Sequence, residues 1–212
     1  MEQIDYKALY ILQDKVFDCV FQAEREFYLT GGTCLSRFYL EKRYSDDLDF
    51  FSNSSNRFRF AVKNVMNTIS NVLAVSMIVD SKDFVRILIN QVLQIDFVND
   101  WVPRYKDVII LDNGYIVDSI ENILSNKLTA VLGRDNPKDI FDIFLIEKNF
   151  KIDWSEILKA AHSKAAFGNN ELIIRIQSFP KNLLKNIAIV PGNENFLDDF
   201  DEVMEQLVKK IE

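Results

Sequence analysis

The chain has 212 residues, 48% of them apolar and 27% charged, with a net charge of −7. That balance describes an ordinary globular protein and argues against one coated in basic surface for non-specific nucleic-acid binding. No apolar run reaches the ~18–20 residues that span a bilayer, and the N-terminus lacks the basic start of a secretory leader. Cys19 and Cys34 offer neither a disulfide framework nor metal-ligand spacing, so a reduced, cytoplasmic protein away from membranes is expected.

Leu9, Leu12, Val16 and Val20 recur at helical spacing and predict an amphipathic helix over 5–25. The apolar run 27–30 stops at Gly31-Gly32 and reads as a buried strand entering a turn. Thr33 is expected to cap the next helix, which carries Leu35, Phe38 and Tyr39. A second strand follows at 46–51, then a Ser/Asn-rich loop and a helix over about 57–72. The β-rich runs 83–89 and 92–98 are separated by Asn90-Gln91, which predicts a tight hairpin. Beyond Gly114, Asp118 and Glu121 form a variant capping box ahead of a helix closed by Gly133. Pro137 opens another helix, to about Lys148, and helical periodicity continues through 153–166, 180–189 and 194–211. Strands early and helices late predict an α+β protein: a mixed α/β part over 1–112 and a helical lobe over 113–212.

Residues two apart on a strand share a face, so Asp47 and Asp49 point one way while Asp46, Leu48 and Phe50 point the other. Asp96 is a lone acid in the strongly apolar run 92–98, where an isolated buried carboxylate is costly. Three carboxylates from neighbouring strands make the oxygen-only ligand set that Mg²⁺ or Mn²⁺ prefers, suited to phosphoryl or nucleotidyl transfer. Gly31-Gly32 between strand and helix lets backbone N–H groups approach a phosphate, and Thr33 adds a hydroxyl.

The order strand, Gly-Gly-Thr, helix, then Arg43-x-Ser45-x-Asp47-Leu48-Asp49 resembles the first motif of the nucleotidyltransferase superfamily, and within it the AbiEii-like branch of abortive-infection and toxin–antitoxin proteins. The run 123–146 is similar to that branch's downstream motif at Lys127, Arg134, Lys138, Asp139 and Asp142. The resemblance covers roughly 27–146 and implies a nucleotidyltransferase-like mixed sheet with flanking helices, the helical lobe completing the active-site cleft. It implies Asp47, Asp49, Asp96, Lys127 and Asp142 as catalytic residues, the first three holding metal. Gly31, Gly32, Thr33, Arg43, Ser45, Lys127, Arg134 and Lys138 are implied to bind the nucleoside triphosphate. Lys138, Asp139 and Asp142 can share a helix face, with Asp142 preferred over Asp139 as the inward residue because Ile140, Phe141, Ile143 and Phe144 flank it.

The resemblance implies transfer of a nucleotidyl group to a hydroxyl acceptor, RNA at the tRNA 3′ end, by a toxin paired with an antitoxin. A small-molecule or protein acceptor, or a binding module of the same fold without activity, are the other readings. Between 145 and 190 seven Lys/Arg stand against four Asp/Glu, and Lys151, Lys159, Lys164 and Arg175 are candidate RNA-phosphate contacts. His162, the sole histidine, is expected to be partly exposed and not catalytic, and Trp101 and Trp154 to be packing residues.

Overall fold

The computed structural model of the protein describes residues 4–212. The chain forms two compact units. The first contains the residues up to Cys34 and Ser45–Asp118, and the second Leu35–Tyr44 and Ser119–Glu212.

In the first unit, α1 (Tyr6–Ala23) starts at Asp5, whose carboxylate accepts the Ala8 N–H at 3.0 Å, and it buries Leu9, Val16, Phe17, Val20 and Phe21. A seven-stranded mixed sheet is built from β1 (Tyr28–Thr30), β2 (Asp47–Asn53), β3 (Val75–Asp80), β4 (Phe84–Ile89), β5 (Leu93–Asp100), β6 (Ile109–Ile110) and β7 (Ile116–Val117), in the order β3-β4-β5-β2-β1-β7-β6. The β2–β5 and β1–β7 pairs are parallel and the others antiparallel. Period-two alternation puts Leu48, Phe50, Ile87, Ile95 and Phe97 on one fully buried face. There Phe50 stacks on Phe97 at 5.7 Å and meets Phe21 at 5.8 Å. Each such side chain contributes roughly 1.5–3 kcal/mol of burial. This packed face leaves the alternate residues of β2, β4 and β5 on the opposite side.

The hairpin between β4 and β5 differs from expectation by one residue. Its loop is 90–92, with positive φ at Asn90 (49°) and Gln91 (62°) and the Val92 N–H donating to the Ile89 carbonyl at 3.0 Å. The edge strand β3 is absent from the sequence reading. Its Met77, Ile78 and Val79 are exposed, so no burial alternation marks it. Trp101, expected to pack, is 54% exposed, with the Lys82 ammonium 5.7 Å from its ring centroid.

Helix α2 (Gly31–Phe38) begins among first-unit residues and ends among those of the second. The second unit is otherwise α4 (Ile120–Gly133), α5 (Pro137–Asn149), α6 (Trp154–Lys164), α7 (Asn169–Gln177) and α8 (Phe200–Ile211), whereas α3 (Phe58–Ser70) lies in the first. The N-cap of α4 is Ser119, whose hydroxyl accepts the Asn122 N–H at 3.2 Å. Asp118, the expected cap, instead accepts the Thr30 hydroxyl at 2.6 Å. Pro137 opens α5 as its fixed φ allows, whereas Gly133 is the last residue of α4 without the left-handed conformation of a glycine cap, and the extended Arg134 ends the helix. The expected helix at 180–189 is a 3₁₀ turn, Lys181–Asn186, and α7 was not foreseen. Trp154 is buried and donates its indole N–H to Glu147 at 2.8 Å. His162 is exposed, stacked on Phe167 at 4.3 Å. Among the described residues no helix is long and apolar enough to cross a membrane.

Candidate active site

The open face of the first unit's sheet carries acids. Asp47 and Asp49 are half-buried on β2 while Leu48 and Phe50 go to the core. In register, Asp49 lies beside Thr30 of β1 and Asp96 of β5, and Asp47 beside Gln94. Gly31 is held at φ +71°, where a Cβ would lie 2.6 Å from the Asp49 Oδ2, so the carboxylate rests where only glycine leaves room. Gly31 and Gly32 are the first two residues of α2, whose N-terminal N–H groups favour an anion. Thr33 lies inside that helix instead of capping it. It is 1% exposed, and its hydroxyl donates to the Asp47 carbonyl oxygen, fixing the start of β2. Ser45 is equally buried, its N–H on the Tyr10 hydroxyl at 3.2 Å and its carbonyl accepting from Gln13 at 2.9 Å.

Asp96 does not stand alone. The Nε–H and Nη2–H of Arg86, directly opposite on β4, donate to its two oxygens at 2.7 Å each. Hydrogen bonding to Asp96, helped by the charges of Asp96, Asp49 and Asp47 and opposed by burial, raises the Arg86 pKa above its ordinary value. Arg86 is the site residue that the sequence reading missed. Asp47 and Asp49, two hard oxygen donors on one face beside a glycine-opened cradle, fit a small divalent cation. Among the described residues no three acidic, histidine or cysteine side chains are arranged to share one metal ion. Each oxygen of Asp96 accepts one N–H from Arg86.

The geometry makes Gly31→Ala a sharp test. An L side chain in the left-handed region costs about 1–2 kcal/mol, and the new methyl pushes on Asp49. Thermal unfolding should show that loss, and divalent-cation binding should weaken; an unchanged variant on both counts would refute the cradle.

The second unit holds a buried ion group. Arg43, 1% exposed, donates Nε–H and Nη2–H to the two oxygens of Asp142 at 2.7 and 2.8 Å. The Lys127 ammonium reaches Asp139 and Asp142, both at 2.8 Å, and Arg134 donates to Asp139 at 2.6 and 3.1 Å. Burial alone would raise both aspartate pKa values, but Arg43 and Lys127 at Asp142, and Lys127 and Arg134 at Asp139, outweigh it and lower them. Burial lowers the Lys127 pKa and its carboxylate partners more than restore it, so the net direction is up. Asp139 is as fully buried as Asp142, against the expected preference for Asp142. The reason is that two cations converge on it. Arg43 and Lys127 are committed to carboxylates within the unit, and Lys138 is half-buried at the start of α5 with its backbone N–H on Asn136 at 3.0 Å. Backbone bonds from Tyr44 to Ala188 (2.8 Å) and from Val190 to Lys42 (3.0 Å), together with the Ser36 hydroxyl on the Arg43 carbonyl (2.6 Å), hold Arg43 in place.

Comparison with known proteins gives this geometry a context. Solved structures that superpose on the chain include JHP933 from Helicobacter pylori, with 19% identity and a TM-score of 0.58, covering 100% of this chain and 92% of that one. A putative nucleotidyltransferase from H. pylori matches with 21% identity and a TM-score of 0.58, over 95% and 92% of the two chains. MenT4, a nucleotidyltransferase toxin from Mycobacterium tuberculosis H37Rv, matches at 14% identity and a TM-score of 0.56, over 98% and 82%. At such identities these likenesses show a shared fold. No curated protein matches by sequence. The family described as nucleotidyl transferase AbiEii toxin, type IV TA system, matches residues 17–210. Matched over that span, the chain belongs to the AbiEii family of type IV toxin–antitoxin nucleotidyltransferases.

Proposed function

We propose that the protein transfers a nucleotidyl group from a nucleoside triphosphate to an RNA hydroxyl, at the tRNA 3′ end, as the toxin of a pair whose other member is an antitoxin protein. The observation that carries this reading is the face of β2, which Asp47 and Asp49 share, with the Asp49 carboxylate against Gly31. Those two carboxylates would hold Mg²⁺ or Mn²⁺, which when bound offsets phosphate charge and helps orient the triphosphate. The N-terminal N–H groups of α2 at Gly31 and Gly32 suit a phosphate oxygen. The acceptor hydroxyl oxygen, its proton passing to water, bonds to the α-phosphorus as the bond from that phosphorus to the oxygen bridging to the β-phosphate breaks, releasing pyrophosphate.

The family pattern assigns phosphate contact to Lys127 and a catalytic role to Asp142. In support of the phosphate contact alone, the second unit's ion group holds three cations, Arg43, Lys127 and Arg134, against two carboxylates, Asp139 and Asp142, an excess of one positive charge. RNA contact is assigned to Lys151, Lys159, Lys164 and Arg175. Lys159 is paired with Glu156 at 2.7 Å and Arg175 with Asp135 at 2.8 Å, while Lys164 donates to the Ser125 hydroxyl at 2.8 Å. A patch so engaged yields few phosphate contacts.

The test is label transfer from each of the four nucleoside triphosphates to purified tRNA across a salt series. Labelled RNA is expected only with a divalent cation present. Binding should weaken by a log–log slope of roughly −0.7 to −0.9 per contact, hence modestly. Labelling of an aminoglycoside or a protein, with none of RNA, would replace the acceptor.

A further inference from the structure

The open face of the first unit's sheet is not acidic throughout. One row of direct register partners carries Arg86, Asp96, Asp49 and Thr30, from β4, β5, β2 and β1. The next row, two residues along each strand, carries Phe84, Val98, Phe51 and Tyr28. That step is ~6.6–6.8 Å, so an apolar row runs directly beside the carboxylates. Helices α1 and α3 pack on the other face, where Phe21 meets Phe50 and Phe58 meets Phe27. Phe84, Val98 and Phe51 are accordingly only half-buried. The Phe51 and Tyr28 rings lie 6.3 Å apart. A guanidinium stands at each end of the row, Arg86 at 5.4 Å from the Phe84 ring centroid and Arg104 at 5.0 Å from that of Tyr28. Arg86 is bonded to Asp96, whereas Arg104 carries no ion pair among the described residues, which leaves its charge to an incoming anion.

The direction of attack selects the occupant. Strand β1 is antiparallel to β2, so the chain leaves Thr30 for Gly31 and Gly32 on the Asp47 side of Asp49, where the Thr33 hydroxyl reaches the Asp47 carbonyl. The aromatic row lies on the other side of Asp49. Displacement at phosphorus is in line, so the entering hydroxyl stands opposite the departing pyrophosphate. With the terminal phosphates at the N-terminus of α2, the acceptor enters from the side of Phe51. Aromatic faces hold single-stranded bases whatever their sequence, and a guanidinium holds a phosphate.

We propose that the row Phe84, Val98, Phe51 and Tyr28 is the platform on which the 3′-terminal base of an RNA acceptor stacks, with Phe51 as its central contact and Arg104 placed for a backbone phosphate. This rests on the reading of the β2 acids and the start of α2 as a nucleotidyl-transfer site. It makes the acceptor a nucleotide recognised through its base, and it separates that acceptor from an aminoglycoside, a polycation that offers the row no aromatic ring.

The measurement is fluorescence anisotropy of a 5′-labelled single-stranded RNA with the full chain, without nucleoside triphosphate. A matched RNA lacks the base of its last nucleotide but keeps the ribose and its hydroxyls. Wild type should bind the base-less RNA at least about fivefold more weakly, the low end for losing one base–aromatic stack. Phe51→Leu, which keeps an apolar side chain on the strand, should lose a similar factor on the intact RNA. On the base-less RNA it should stay within about twofold of wild type, the scatter of independent changes. Phe51→Trp should bind the intact RNA at least as tightly as wild type. An equal loss by Phe51→Leu on both RNAs overturns the proposal, since the residue would then act only through the fold. Wild type that binds both RNAs alike overturns it without recourse to any variant. If Phe51→Leu raises KM for the nucleoside triphosphate and leaves RNA binding unchanged, the row holds the incoming base and the proposal falls. Label transfer distinguishes the two levels: wild type that labels no RNA removes the transfer reading and this one with it, whereas equal labelling of both RNAs removes the stacking alone.

Discussion

Asp142→Ala is expected to destabilise the protein by ~3–5 kcal/mol, the range for removing one side of a buried ion pair. Asp142 is fully buried and accepts from Arg43 and Lys127, so its loss strands the Arg43 guanidinium at 1% exposure with its carboxylate partner gone. Urea unfolding followed through the buried Trp154 would measure the change, and a loss below about 1 kcal/mol would show that the ion group does not hold the helices. Lys127→Ala should behave similarly, since it leaves two buried aspartates each short of a cation. Lys148 is a poor control, because it bonds Asp199 at 2.6 Å and lies 4.1 Å from the Phe196 ring centroid. The exposed Lys185 is the better comparison, expected within about 0.5 kcal/mol of wild type. The pH dependence has a definite sign. Asp139 and Asp142 have lowered pKa values in the folded protein, so their contribution is complete above the unfolded value near 3.9 and is lost as pH falls through the lower folded values. Lys127 has a raised value, so its contribution is complete below the unfolded value near 10.4 and is lost as pH rises through the folded one. A stability plateau between those limits, shortened in Asp142→Asn, is the expected profile.

Asp47→Asn and Asp49→Asn are each expected to lower nucleotidyl transfer by more than about 100-fold, beyond the effect of changing a residue that only supports a metal ligand. Both side chains leave the sheet on the face away from Phe50 and Phe97, so the fold should survive and circular dichroism should match wild type. Near wild-type turnover with Mg²⁺ in either variant would refute the two-carboxylate site. Removing one of two neighbouring like charges should raise the melting temperature of the cation-free protein only slightly, because Arg86 already offsets part of the repulsion.

The shared face of Asp47 and Asp49 was legible because a strand's period of two needs no tertiary information. The Arg86–Asp96 pair was missed through a single residue. A two-residue turn at Asn90-Gln91 would set Arg86 opposite Ile95 and turn it away from Asp96. The actual three-residue loop sets Arg86 opposite Asp96. One step of register exchanges the two faces of a strand, so an error that small hides a cross-strand ion pair completely. The Pro137 helix start was readable because its cause is local. The Arg43–Asp142 bond joins residues 99 apart, and nothing near Arg43 in sequence announces a buried partner. The edge strand β3 was invisible for the opposite reason: exposed on its outer residues, it leaves no alternation to read.

That separation of 99 residues also bears on how the molecule is made. Residues 35–44 emerge from the ribosome early but pack with residues 119–212, so Arg43 must stay hydrated until Asp142 is synthesised. At ~5–20 residues per second that wait lasts about 5–20 s. The helical unit therefore cannot be produced as a contiguous C-terminal fragment. A polypeptide starting at Ser119 would contain Asp142 and Lys127 but lack the guanidinium that neutralises the buried carboxylate, and supplying residues 35–44 as a separate peptide should restore its folding.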